Sequence, residues 1–229
     1  MHQVRLLDIA CPVALWMCSV ALVVLCIVIG LPSLVWRWDT GHEGAHGTLS
    51  AAFVTIAVVA DALDNIVLAM GSVVVRTSVS GEALVLALGY CRRVSRAVTL
   101  PLLIPHLTCL SASLMFANDV KWVIWYLALV PCGALAIFGV VVNTADSLVI
   151  VKRHGLVYGV GHRSERINAL VELVLACAGV LSGVWCIAAQ GNYGLCLFSL
   201  MWLVAQLVQI LPLQRIAAVP FAVAALSTL

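Results

Sequence analysis

Long apolar runs, separated by short polar segments, recur along this chain at residues 11–36, 46–75, 97–118, 122–151, 167–190 and 193–213. A helix rises about 1.5 Å per residue, so roughly twenty such residues cross a hydrocarbon layer of about 30 Å. Inside that layer no water reaches the backbone, and every N–H and C=O must find its partner within the chain. A helix does this in one segment, whereas the strands of a membrane barrel are only about 9–11 residues long. Runs of this length therefore point to helices. Composition agrees: 64% of the 229 residues are hydrophobic and 10% are charged, against about a quarter charged in a soluble domain. The expected architecture is all-α: a polytopic transmembrane helical bundle of about six spans. It forms one membrane domain over residues 1–229, with the lipid bilayer as its principal partner.

The basic residues provide a check on the span count. Arg5, Arg76, Arg92, Arg93, Arg96, Lys152, Arg153, Arg163, Arg166 and Arg215 fall on one side of such a bundle, and only Arg37 and Lys121 on the other. This is the positive-inside pattern, and it places both termini on the cytosolic side. The first run is too long for a signal-peptide core of about 7–15 residues and is read as a retained helix. Residues 216–229 contain Pro220, are short for a span, and read as an interfacial or re-entrant tail. Residues 83–91 lead into Arg92 and read as a helix at the cytosolic interface, while Pro101 and Pro105 predict a kink in the span that follows. None of the nine cysteines forms a C-x-x-C pair, so they read as small buried hydrophobes. A net charge of +2 gives no nucleic-acid surface, and no phosphate-binding loop or dinucleotide glycine pattern calls for a cofactor.

Charges inside the runs carry the functional signal. A carboxylate in hydrocarbon costs at least about 2.5 kcal/mol, so Asp61, Asp64, Asp146 and Glu172 each need a partner or a wet cavity. Two readings stand side by side: a polar path for a proton, an ion or a small solute, or a set of ion pairs that lock the bundle. His106, beside Pro105, is read either as a proton relay or as a hydrogen-bonded structural residue. Gly179 and Gly183 form a G-x-x-x-G that permits close helix approach, within the chain or between copies.

One metal-like motif is present. His42, Glu43 and His46 match H-E-x-x-H, which on a helix sets two imidazoles one turn apart for zinc with the glutamate as general base. Gly41, Gly44 and Gly47 weaken a helix there, and the alternative is a solvated loop with incidental histidines. A third ligand would have to come from Asp61 or Asp64.

The run from Asn143 through Asp146 to Gly155 and Leu156 resembles the peroxin-11 family of peroxisomal and glycosomal membrane proteins. The segment from Gly81 through Tyr90 and Arg92 to Arg96, and Leu197-Phe198-Ser199-Leu200, extend that likeness. Ile150 stands where that family usually has tryptophan. The resemblance implies a non-enzymatic protein that shapes or organises an organelle membrane, peroxisome-like, through helix association as a homo-oligomer or with membrane-complex partners. Arg92 with Pro101 also resembles the third helix of microbial rhodopsins, but no lysine after Lys152 is available to hold retinal. Membrane organisation is the leading expectation. A channel or transporter with an acidic intramembrane path is second, and a zinc hydrolase at His42 and His46 third.

Overall fold

A computed structural model describes residues 6–40, 44–77, 80–115, 118–153, 155–208 and 210–228. The chain is an all-α bundle. Its first rod is α1 (Leu6–Leu25), a π-helical turn at Cys26–Gly30, and α2 (Leu31–Thr40). Pro32 has no N–H to give to the preceding turn, and the wider turn, closed by the Leu31 N–H on the Cys26 carbonyl, lets the rod continue through it. Next come α3 (Gly44–Thr77) and α4 (Gly81–Thr99), then a 3₁₀ turn at Leu100–Leu102 leading into α5 (Leu103–Met115). The interruption falls at Pro101, where the kink is expected from sequence. The third apolar rod thus begins at Gly81, and residues 83–91 are the first half of α4 rather than a separate interfacial helix.

The long helix α6 (Asn118–Ala145) precedes a β-hairpin of β1 (Val149–Arg153) and β2 (Leu156–Val160), and then α7 (His162–Gln190), α8 (Gly194–Val208) and α9 (Leu211–Ser227) complete the chain. The hairpin corrects the expectation of a span running to residue 151. Hydropathy continues past Ala145, but Val149, Ile150 and Val151 are β-branched, and Gly155 supplies the left-handed turn residue at φ 73°. The strands pair antiparallel with Val151 opposite Tyr158 and Arg153 opposite Leu156.

Among the described residues, five helical rods are long and apolar enough to cross a membrane: Ile9–Arg37, Gly47–Val75, Gly81–Ala112, Trp122–Ala145 and His162–Gln190. The expected sixth run divides at the extended Ile210 into α8 and the start of α9. At 15 residues α8 reaches only about 22 Å, short of the hydrocarbon thickness. The outer faces are bare of polar cover: Leu127, Val130 and Ile137 on α6 are 65%, 71% and 69% exposed. Such a continuous apolar exterior suits lipid rather than water.

The closing stretch, expected as an interfacial or re-entrant tail, is helical as α9 and packed into the bundle. Ala217, Ala218, Phe221, Ala222, Ala224, Ala225 and Leu226 of α9 are buried in the main core with Leu22, Val54, Leu107 and Trp202. The alanines allow α9 to approach its neighbours closely, and Phe221 stacks on Trp202 at 4.6 Å between ring centroids. Helix α3, at 34 residues, is about 51 Å long and extends beyond any hydrocarbon layer. Its projecting end meets α1 and the hairpin in a second core of Cys11, Leu15, Leu68, Ala69, Leu156 and Tyr158.

Candidate anion site

Helix α4 carries Arg92 and Arg96 one turn apart and Arg93 on an adjoining face. From α3, Asp64 meets the first two: Arg92 Nε lies 3.3 Å from Oδ1, and Arg96 Nη1 donates to Oδ2 at 3.1 Å. Arg215, near the start of α9, adds a third guanidinium, its Nη1 lying 2.8 Å from Asp64 Oδ2 and 3.1 Å from Asp61 Oδ1. Arg96 also bridges to α7, where its Nη2 sits 2.7 Å from Glu172 Oε1, and Gln206 of α8 donates to the other oxygen of Glu172 at 2.6 Å. Four helices besides α4 therefore meet on one ionic cluster. Asp64 is 3% exposed, Arg96 5% and Arg215 5%, so these charges interact in a medium far less polarisable than water.

Arg93 belongs to a neighbouring group. Its Nε donates to Asn143 Oδ1 at 3.2 Å, and its Nη2 lies 3.4 Å from Asp146 and also contacts the Ser164 hydroxyl. Asp146 stands in the bend after α6, outside the helical rods, and caps α7 from a distance. Its Oδ2 accepts the backbone N–H groups of Arg163 and Ser164, each at 3.0 Å, and the Ser164 hydroxyl at 2.9 Å. These are the otherwise unpaired donors of the first helical turn, and a carboxylate there also meets the positive end of the helix dipole. Hydrogen bonding by Ser164 and Arg163, with the charge of Arg93, outweighs partial burial and holds the Asp146 carboxyl below its ordinary value.

The sign of the linkage follows from that depression. The stabilisation is complete above the unfolded carboxylate value of about 3.9 and disappears as pH falls through the lower folded value. Asp146→Ala is expected to cost about 2 kcal/mol at neutral pH, at the upper end for loss of a cap. Unfolding followed against pH checks this: the gap between wild type and variant should close in acid, and a gap independent of pH would show that the carboxylate charge is not what stabilises the helix start.

On the basic end of the cluster lies a cavity of about 680 Å³. Arg92, Arg93, Arg96, Arg153, Arg166 and Arg215 line it, six guanidinium groups against the two carboxylates of Glu165 and Glu172. Asp61, Asp64 and Asp146, which hold the deep arginines, do not line it. Arg153 and Arg166, exposed, pair with no carboxylate among the described residues. The acids behind the wall fix the inner guanidinium groups, and the outer pair adds unbalanced positive charge. Pre-positioned arginines of this kind suit an oxyanion, whose oxygens match the planar fork of donors.

Of the residues singled out in the sequence, Asp61, Asp64 and Glu172 come together, and Asp146 lies in the neighbouring group around Arg93. His106 lies elsewhere, buried between Ser50 and Thr228, with Nδ1 2.9 Å from the Ser50 hydroxyl and Nε2 3.0 Å from that of Thr228. Gly179 and Gly183 pack inside the chain against α8: a Cβ at Gly183 would fall on the backbone of Cys196, and one at Gly179 would lie 2.5 Å from Ser199 Oγ. That small-residue face is therefore not free to meet a second copy. His42 and Glu43 lie outside the described residues, and His46 falls in the first turn of α3. Asp61 is fifteen residues further along that helix, about 22 Å away, and already bound by Arg215, which removes it as a third zinc ligand. Among the described residues no three His, Cys, Asp or Glu side chains are grouped to hold a metal.

Arg215 and Gln206 are the members of the cluster that the sequence reading missed. Gln206 stands in an apolar run, and Arg215 with Gln214 interrupts another, so the argument applied to buried carboxylates applies equally to them. Comparison with protein-family models, with curated proteins and with solved structures finds no match to this chain.

Proposed function

We propose that this multi-pass membrane protein binds an anion in the arginine-walled cavity at the basic end of its bundle. One observation carries the proposal: the inner arginines are held by Asp64 and Asp146 set behind the cavity wall, while Arg153 and Arg166 at its rim have no acidic partner among the described residues. Structural locking alone needs the inner pairs but not the surplus at the rim. A cation path through Asp61, Asp64 and Glu172 needs carboxylates with room for a cation, and each of these is in contact with arginine. The organelle-shaping role implied by the peroxin-11 resemblance rests on the sequence likeness alone, and the G-x-x-x-G face it drew on is occupied within the chain.

The test is thermal unfolding of the purified protein in detergent, titrated with inorganic phosphate or pyrophosphate against chloride at equal ionic strength. A saturable rise in the midpoint is expected with the oxyanions, because a ligand that binds only the folded state stabilises it. Arg153→Ala combined with Arg166→Ala should weaken binding by at least about tenfold. The unliganded midpoint should barely move, since both side chains are exposed. No difference between oxyanion and chloride would overturn the proposal.

A further inference from the structure

The rest of the cavity wall narrows the class of anion. Resting on the anion-binding reading above, we infer that the ligand is a phosphorylated polyol, a sugar or inositol phosphate, and not a bare oxyanion. At about 680 Å³ the cavity lies within the range of roughly 300–1,000 Å³ that holds organic ligands, far more space than one phosphate fills. Arginine only donates hydrogen bonds, which is what an ionised phosphoryl group requires. The same wall carries acceptors: the carboxylate of Glu165 and the carbonyl oxygens of the Asn168 and Gln214 amides, whose NH2 groups also donate. An ionised oxyanion has no proton to offer an acceptor, and a carboxylate repels it. A hydroxyl group donates, so a ring of hydroxyls satisfies the acceptors while the phosphoryl group meets the guanidiniums.

A nucleotide fits less well. Tyr158, the lining ring other than His162, is itself buried and lies 5.8 Å from the Arg92 guanidinium, so it presents no open face for a base. The phosphorylated polyol has two possible sources with the same chemistry, a free solute or the headgroup of a lipid in the surrounding bilayer.

The full chain in phosphatidylcholine nanodiscs separates these cases by calorimetric titration with inorganic phosphate, inositol phosphate, inositol and adenosine monophosphate. Inositol phosphate should bind at least about tenfold more tightly than inorganic phosphate, and inositol alone should not bind measurably. Asn168→Leu with Gln214→Leu should shrink that ratio about three- to tenfold, whereas Arg166→Ala should weaken both phosphates and leave the ratio in place. Nanodiscs containing phosphatidylinositol phosphate identify the source. Loss of free inositol phosphate binding in them supports the lipid headgroup, and unchanged binding supports the free solute. Equal affinity for inorganic and inositol phosphate, or tightest binding of adenosine monophosphate, overturns the polyol class while the anion site stands. Binding of none of the phosphates removes the anion site itself.

Discussion

Asp64→Ala is expected to remove about 3–5 kcal/mol of stability, the range found when one partner of a buried ion pair is deleted. The carboxylate touches Arg92 and Arg96 of α4 and Arg215 of α9. Among the described residues, its loss would leave Glu172 in contact with Arg96, Asp61 in contact with Arg215, and no carboxylate of the cluster in contact with Arg92. Set against a total of about 5–15 kcal/mol for a typical folded protein, this is a large fraction. Intact buried pairs are poor evidence of net stability because desolvation offsets their attraction, so the prediction concerns the orphaned charges. It follows that adding Arg92→Met to Asp64→Ala should recover part of the loss, since Asp64 is the carboxylate that Arg92 meets in the cluster, and the second change removes a stranded cation and fills its space with an apolar chain. Denaturation of the single and double variants in detergent micelles checks both statements. A loss below about 1 kcal/mol for Asp64→Ala, as for an exposed pair, would show that water reaches the cluster freely.

Gly71→Val should detach the hairpin from the bundle. Helix α3 meets β2 backbone to backbone at this glycine, and a Cβ built there falls on the carbonyl oxygen of Val157. The clash is with main chain held in a ladder, so no side-chain rotation relieves it. Overfilling a packed site costs about 1–3 kcal/mol and sometimes more, and here the upper end is expected because strand and helix must separate. Gly89, where α4 passes Gly159 of β2 at 3.3 Å from a built Cβ to Cα, has a milder version of the same constraint. The readout is trypsin cleavage at Lys152 and Arg153, which should speed up in Gly71→Val, together with loss of anion binding as Arg153 and Tyr158 leave the cavity. Gly133→Ala is the control: nothing lies within 4 Å of its Cβ, and alanine favours the helix by about 1 kcal/mol. Gly71→Val with wild-type resistance to trypsin would mean that the hairpin is not seated on α3.

Legibility varied along the chain for identifiable reasons. The kink was readable because Pro101 alters the backbone hydrogen bonding of its own helix. The hairpin was not, because an apolar run of Leu148 to Val151 has the same hydropathy in a strand as in a helix, and only β-branching and Gly155 mark the difference. The role of α9 was hidden by its length: 17 residues with Pro220 look unable to span, yet burial depends on the neighbours that receive it. Charge segregation showed which end of the bundle would be basic, but a side count does not distinguish arginines that neutralise acids from those left over.

The order of residues alone settled the solvent and the class of fold, because the transfer of long uncharged segments into lipid and the closure of their backbone hydrogen bonds are properties of each segment taken by itself. It also showed that Asp61, Asp64 and Glu172 require partners. Which partners they have was decided in three dimensions, since Arg96 lies 32 residues from Asp64, and Arg215 is 154 from Asp61. Coulomb attraction and desolvation depend on distance through space and on what surrounds the pair, and neither is encoded at a fixed spacing along the chain. Tertiary packing thus brought acids that the sequence allowed either as a polar path or as ion pairs into contact with a wall of arginines.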